Sequence, residues 1–394
     1  MIAGGEVAQV LAVNGGSSSV RFALFSAGPT RTYHGRIDRI GLPGTYVEYG
    51  AADGEPQRHA VAAADHRGAA AVLLERLDAA RLLDGVAGVG HRVVHGMGRA
   101  APERATAALL KELRSVASFD PEHLPREIDL IEALGARLPD VPQIACYDTA
   151  FHATMPTCAT RLPIPRRYGE RGVRRYGFHG LSYAYLREEL ANLGDAAIAR
   201  GRVILAHLGN GASMAALRDG RSIDTTMGFT PAGGLVMSTR SGDLDPGLAY
   251  YFLRSAGQDA AQFQRMVNHE SGLLGISATS SDVRDLLARE ADDPRAAEAL
   301  AVFCYQARKW IGALAAALGG LDTLAFAGGI GENAAPIRAR ICADLGFLGI
   351  RLDEARNARH APLISPDGAP VAVRVVPTDE ERMIARATFA AIAR

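Results

Sequence analysis

The sequence predicts an α/β protein folded as two related halves. Three observations carry that expectation. Strand-like and helix-like apolar patterns alternate along the chain, as they do in mixed α/β layers. A strand, Asn-Gly turn, strand unit occurs twice, over residues 10–25 and 203–217. The 394 residues exceed one ordinary hydrophobic core and suit two.

In chain order, the apolar run 10–13 passes through Asn14-Gly15-Gly16-Ser17-Ser18-Ser19 into a second run, 20–25. An Asn-Gly pair supplies the positive φ angles of a tight turn, so the plainer reading is an ordinary hairpin. The sharper one is that small residues leave backbone N–H groups and hydroxyls free to face a phosphate. Residues 66–83 carry leucines at helical spacing, and 143–146 read as a strand. A proline-rich, basic loop follows, so the halves divide near residues 149–155, with a cut at about 150. A helix over 182–190 opens on Ser182 as its cap. The second hairpin runs from 203–206 through His207-Leu208-Gly209-Asn210-Gly211-Ala212-Ser213 into 214–217.

Asp245-Pro246 and Asp293-Pro294 each set a capping carboxylate before a proline suited to the first helical position. The second pair opens a long helix through Leu300, Phe303, Ala307, Ile311, Leu314 and Leu318, closed by Gly319-Gly320. Residues 321–327 then form a buried strand that runs into Gly328-Gly329-Ile330-Gly331-Glu332-Asn333 and a further helix.

Composition excludes several classes. Formal charge sums to zero and no basic block stands out, which argues against nucleic acid as a partner. Lysine occurs only at Lys111 and Lys309, so each arginine must be argued from its context. Cys146, Cys158, Cys304 and Cys342 lie far apart without a C-x-x-C pair, which fits neither a disulfide framework nor a zinc site. A reducing cytoplasm is the expectation. Residues 1–9 have no basic region ahead of a sustained apolar run, so no secretory signal is expected. The apolar stretch 310–331 is interrupted by Asp322 and several glycines, which argues against a membrane span.

Gly329-Ile330-Gly331-Glu332-Asn333-Ala334 satisfies the dinucleotide fingerprint after a predicted strand, and Asp353 follows where an acidic ribose ligand is expected. An NAD(P)-binding oxidoreductase is therefore a rival reading. Against it, no βαβ partner is evident, and Glu332 would face the pyrophosphate. No Walker A loop, H-E-x-x-H or G-x-S-x-G occurs.

The arginine contexts are more informative. Arg92 ends a short strand in Gly90-His91-Arg92-Val93-Val94-His95-Gly96, and Arg240 lies in Ser238-Thr239-Arg240-Ser241-Gly242-Asp243. A lone arginine is usually a surface ion pair. Two in glycine-rich turns, with Tyr147-Asp148-Thr149 and Phe178-His179-Gly180 also present, form the elements of a charge clamp for phosphoryl transfer. Of His91, His95, His123, His152, His179 and His207, most suit structural donors near turns.

At these residues the sequence resembles the acetate kinase family. Residues 13–22 resemble its N-C-G-S-S-S-[LV]-K-F signature, with Gly15 for cysteine and Arg21 for lysine, and residues 177–182 resemble its G-F-H-G-T-S-H signature. Further matches fall at 207–213, 224–231, 239–246, 271–277 and 328–333. The resemblance implies two ribonuclease-H-like, actin-like ATPase domains with ATP in the cleft. The first would span residues 1–150 plus a returning C-terminal helix over 381–394, and the second, nucleotide-binding one 151–380. It also implies a cytoplasmic homodimer that forms acetyl phosphate and ADP from acetate and ATP by direct in-line transfer.

Carried over by position, Asp148, His179 and Arg240 would be catalytic, and Arg92, Val94, His123, Phe178 and Pro231 would bind the substrate. Arg21, His207, Leu208, Gly209, Asn210, Gly211, Asp282, Val283, Arg284, Gly329, Ile330, Gly331, Glu332 and Asn333 would hold ATP or ADP. Asn14 and Glu380 would bind Mg²⁺, with Mn²⁺ able to substitute. The chain departs from the family at Pro121-Glu122-His123-Leu124-Pro125-Arg126, where P-L-H-N-P-P is usual, and at Leu181 and Tyr183. Glu122 in place of an apolar residue leaves propionate, or another short carboxylate, as the alternative substrate.

Overall fold

The structure, a computed structural model, describes residues 9–16 and 18–393. Ser17 of the first turn and the segment ahead of Gln9, on which the absence of a secretory signal was argued, lie outside the described residues. The chain divides into two units. One comprises the described residues of Met1–Phe151, Gly180–Tyr185 and Asp379–Arg394, and the other His152–His179 and Leu186–Thr378.

The first unit is built on an eight-stranded sheet. Its strands are β1 (Gln9–Gly15), β2 (Ser19–Ser26), β3 (Thr30–Asp38), β4 (Tyr46–Ala51), β5 (Gln57–Ala60), β6 (Val86–Val93), β7 (Glu103–Arg104) and β8 (Gln143–Tyr147). Their order is β5-β4-β3-β2-β1-β6-β8-β7. β1 and β2 form the first hairpin, in register from Val10↔Phe25 to Gly15↔Val20, whereas β1, β6 and β8 run parallel.

The apolar run of β1 is continuous because both faces of the strand are covered. Leu11 and Val13 join Phe22, Leu24 and Ile37 under Leu73 and Leu77 of the helix His66–Ala79. Val10 and Ala12 join Ala23, Phe25 and Cys146 under Ile384 and Ala385 of the C-terminal helix Glu380–Ile392. Gly90 of β6 permits that second contact, since a Cβ there would overlap Thr388 and Ile384. The helix expected over 66–83 stops at Ala79, and the chain turns at Arg81 with a φ of 55°.

The second unit holds β9 (Arg202–Leu208), β10 (Ala212–Arg218), β11 (Arg221–Thr225), β12 (Thr323–Ala327) and β13 (Ala372–Val375), ordered β11-β10-β9-β12-β13. Three antiparallel strands are followed by two that run parallel to β9. β3-β2-β1-β6-β8 of the first unit has the same order and directions, so the repeated hairpin marks a repeated sheet.

The helix Pro294–Leu318 begins on Asp293, whose side chain accepts from the Arg295 N–H, and ends on Gly319 with a φ of 73°. Its buried positions include the six apolar residues expected. Ser182, by contrast, does not cap a helix. That helix starts at Gly180, with His179 in the left-handed conformation as its N-cap, and Ser182 is buried. Residues 310–331 end one helix, form β12 and begin another. Among the described residues, no helix is long and apolar enough to cross a membrane, and all four cysteines are free.

Candidate active site

Three parallel strands of the first unit deliver polar side chains from their C-terminal ends, where open α/β sheets present ligands. β1 pairs with β6 up to Val13↔His91, which sets Asn14 beside Arg92. β6 pairs with β8 up to Val93↔Tyr147, so Asp148 follows at the same edge. Arg92 Nε and Nη2 both donate to Asp148 Oδ2, at 3.0 and 2.7 Å, and Nη1 reaches Asn14 Oδ1 at 3.3 Å. The Asn14 amide donates to Glu380 Oε2 at 2.8 Å and Glu381 Oε1 at 3.1 Å, at the start of the C-terminal helix. Gly180 belongs to this unit too, and a Cβ there would overlap the Asp148 carbonyl.

Acid outweighs base around this guanidinium. Burial works against the Arg92 charge, but Asp148 and Glu380 more than offset it and hold its pKa above the ordinary arginine value. Burial raises the Asp148 pKa, Glu380 adds to the rise, and Arg92 opposes it. Glu381 is raised by burial and by Glu380, against Arg21 and the Asn14 amide. Asp148 Oδ1 is buried without a hydrogen-bond partner among the described residues. An acidic cluster of hard oxygen donors with one orphaned atom fits a divalent cation. Among the described residues no three His, Cys, Asp or Glu side chains form a cage.

Around this cluster, Val94 is buried and its N–H donates to both Glu127 oxygens, at 3.1 and 3.0 Å. His123 is buried with Nδ1 2.9 Å from Asp120 Oδ1, while Glu122 is half-buried. Arg21 is exposed on β2 directly across from Asn14, and it makes no hydrogen bond or ion pair among the described residues.

In the second unit the β9–β10 hairpin closes over Gly209-Asn210-Gly211, with Leu208 opposite Ala212. His179 Nδ1 lies 2.8 Å from Ser213 Oγ, and its ring sits 4.4 Å from that of His207. A Cβ on Gly211 would come within 3.2 Å of His179 Nε2 and 3.5 Å of Arg240 Nη1, so glycine keeps the space beside both side chains open. The Asn210 carbonyl accepts the Ser238 N–H, which ties the hairpin tip to the Arg240 loop. Arg240 Nη1 donates to the carbonyl of buried Pro231 at 3.1 Å. Phe178 is buried, and its carbonyl accepts from His152 Nε2 at 3.0 Å.

Gly328 has a φ of 75°, and a Cβ on it would press against the Leu208 carbonyl. The short helix Gly328–Asn333 therefore starts against the end of β9 and beside Gly209. Asp282 caps the helix Val283–Arg289, its side chain accepting the Arg284 N–H, and the exposed Arg284 side chain folds back onto it.

Residues 9–386 match the model of the acetokinase family. The chain belongs to the acetokinase family. It is 44% identical to an acetate kinase of Rhodopseudomonas palustris over 96% of each chain. It is 43% identical to a propionate kinase of Citrobacter rodentium, over 96% of this chain and 95% of the other. A solved propionate kinase of Francisella tularensis superposes with a TM-score of 0.91 at 34% identity, over 98% of this chain and all of the other. The two repeated sheets are thus those of a two-domain, actin-like acetokinase.

Family membership disposes of the dinucleotide reading, and the geometry says why. β12 does have a parallel partner, β13, so the missing βαβ unit is no objection. Glu332 is the obstacle. Its Oε1 accepts the Gly328 N–H at 2.9 Å and the Thr378 N–H at 3.1 Å, which fills the helix N-terminus that a pyrophosphate needs. Asp353 is spent as the cap of the helix Glu354–Ala358.

Four residues of this acetokinase escaped the sequence argument. Glu381 shares Asn14 with Glu380, Ser213 holds His179, and Glu127 holds Val94. Arg338 is fully buried and donates to the Gly331 and Glu332 carbonyls from below the glycine helix. Glu127 alone left a signal, since an acid sits on the apolar stripe of Leu124, Ile128 and Ile131.

Proposed function

We propose that this acetokinase transfers the γ-phosphoryl group of ATP to acetate, reversibly, giving acetyl phosphate and ADP. The observation that carries the reading is the convergence of Asn14, Arg92, Asp148 and Glu380 at the ends of three strands. A short carboxylic acid is already ionised at neutral pH, because carboxyl pKa values lie near ~4. No base has to activate the nucleophile. The barrier is repulsion between a carboxylate and a polyphosphate, and cations are what lower it.

In this reading Arg92 holds the substrate carboxylate and Arg240 the transferring phosphoryl group. With the Ser213 hydroxyl donating to Nδ1, His179 carries its proton on Nε2 and donates it to the developing charge. Asp148 orients Arg92. Val94, His123, Phe178 and Pro231 enclose the acyl group. Arg21, the 207–211 hairpin, the helix start at 282–284 and the 329–333 helix hold the nucleotide. Asn14 and Glu380 hold Mg²⁺, or Mn²⁺ in its place, which when bound neutralises phosphate charge.

Propionate is the second substrate, favoured by the 43% identity to a propionate kinase. One methylene changes discrimination by only about 1–3 kcal/mol. Four free cysteines suit a reducing cytoplasm. A homodimer is proposed through the helix Gly247–Arg254, whose Leu-Ala-Tyr-Tyr-Phe-Leu run has no buried residue and leaves Tyr250 70% exposed. The deciding experiment incubates the protein with ATP, Mg²⁺ and acetate, propionate or butyrate, and traps acyl phosphate with hydroxylamine. Hydroxamate from acetate and propionate is expected, and none from any acid sinks the reading.

A further inference from the structure

Behind the Arg92–Val94 strand end lies a buried acid that this chemistry does not use. Glu127 is 3% exposed, and among the described residues both of its oxygens share a single donor, the Val94 N–H. An ionised carboxylate offers about four acceptor sites, and a buried one served by a single N–H is costly to keep charged. An amide side chain would accept the same N–H with no charge to desolvate. Satisfying Val94 therefore does not explain why an acid is there.

Its charged neighbours suggest what does. Asp120, bonded to His123, faces it from the turn ahead of its helix, Arg92 from β6, and Asp148 from the end of β8. Arg92 is the permanent cation of this group, and Asp148 already holds one side of it. We propose that Glu127 is a positioning residue of the carboxylate half-site: it anchors the end of β6 through Val94, and its charge state sets how much Arg92 field remains for an incoming carboxylate. The inference rests on the reading of Arg92 given above. Ionised Glu127 weakens capture and protonated Glu127 strengthens it. Burial, with Asp120, holds its pKa well above the usual glutamate range, against Arg92 and the Val94 N–H. The change then falls at a higher pH than for a surface glutamate.

The test compares the full-length protein with Glu127→Gln and Glu127→Asp across pH, measuring KM for acetate and for ATP. At the acid end, wild type and E127Q have the same acetate KM. Through the Glu127 titration the wild-type acetate KM rises about 3- to 10-fold relative to E127Q. The ATP KM values stay together, and E127D follows wild type. Acetate KM values that coincide at every pH, or acetate and ATP KM values that move together, overturn the proposal. Acetate binding by calorimetry without nucleotide gives a readout independent of turnover. If no acyl phosphate forms but acetate binding shows the same split, the kinase reading fails and Glu127 keeps its role. Binding without the split overturns the role of Glu127.

Discussion

Arg92 places two donors, Nε and Nη2, on one oxygen of Asp148, and Asp148 Oδ1 is buried without a hydrogen-bond partner among the described residues. The pair is therefore not the two-oxygen fork of a purely structural ion pair. Asp148→Asn keeps an acceptor for Arg92 and removes the charge. Turnover is expected to fall about 10²-fold or more, with the ATP KM changed less than about threefold. Asp148→Ala strands the guanidinium and lowers unfolding free energy by about 3–5 kcal/mol. Steady-state kinetics and denaturant unfolding check the two, and an unchanged kcat in the asparagine variant would reduce Asp148 to an anchor.

Arg240 Nη1 donates to the Pro231 carbonyl at 3.1 Å and lies 3.8 Å from the Met237 sulfur, in the loop tied to the β9–β10 hairpin tip. Arg240→Ala is expected to lower kcat by about 10²- to 10³-fold while nucleotide affinity holds within a few-fold. ADP binding by calorimetry beside the kinetics separates the two effects. Equal losses in both would make Arg240 a binding group.

Glu380 and Glu381 share the Asn14 amide, which couples the proposed Mg²⁺ donors to their neighbour. Glu380→Gln is expected to raise the Mg²⁺ needed for half-maximal rate by about tenfold or more. A magnesium titration at fixed ATP measures it, and excess chelator should abolish turnover in the wild type. An unaltered Mg²⁺ requirement removes Glu380 from the metal site.

Gly90 lies under Thr388 and Ile384 of the C-terminal helix, whereas a Cβ on Gly85 would meet nothing within 4 Å. Gly90→Ala is expected to destabilise the fold by about 1–3 kcal/mol through overpacking. Gly85→Ala serves as the neutral control. Thermal unfolding of both variants tests the claim that glycine in β6 is what lets that helix dock.

Burial drives His91 and His152 down to a pKa of about 4, with bonds to the Gln143 side chain and the Phe178 carbonyl opposing the shift. Their folded values lie below the unfolded one near ~6.5, so the stability they contribute is present above that pH and is lost as pH falls towards about 4. The slope is about 1.4 kcal/mol per pH unit for each imidazole. Asp148, Glu127 and Glu381 have raised values and act in the opposite sense, contributing most at low pH and less as pH rises. Denaturant unfolding of wild type and His152→Asn at pH 7.5, 6 and 5 checks the sign. The stability difference between them should shrink with acidification, and a constant difference refutes it.

Much of the architecture was legible because periodicity, caps and turns are local. Asp293 and Gly319 bound the long helix where capping chemistry sets them, and Asn-Gly turns marked a hairpin in each half. Ser182 misled for the same local reason. A serine ahead of an apolar run reads as a cap, but His179, held by Ser213 far along the chain, takes the left-handed N-cap position instead. Arg92 and Arg240 could be singled out from their glycine-rich turns. Their bonding partners could not.

By itself the sequence determined the α/β class, the repeated hairpins and the acetokinase motifs, because each is written in neighbouring residues. Tertiary structure alone decided that Asn14 meets Glu380 across 366 positions, that both Arg92 donors fall on one Asp148 oxygen, and that Glu127 rather than Glu122 is the buried acid at Val94. Strand order and helix return fix those meetings. Burial then sets the pKa of each acid, and no local pattern encodes how much water a side chain will lose.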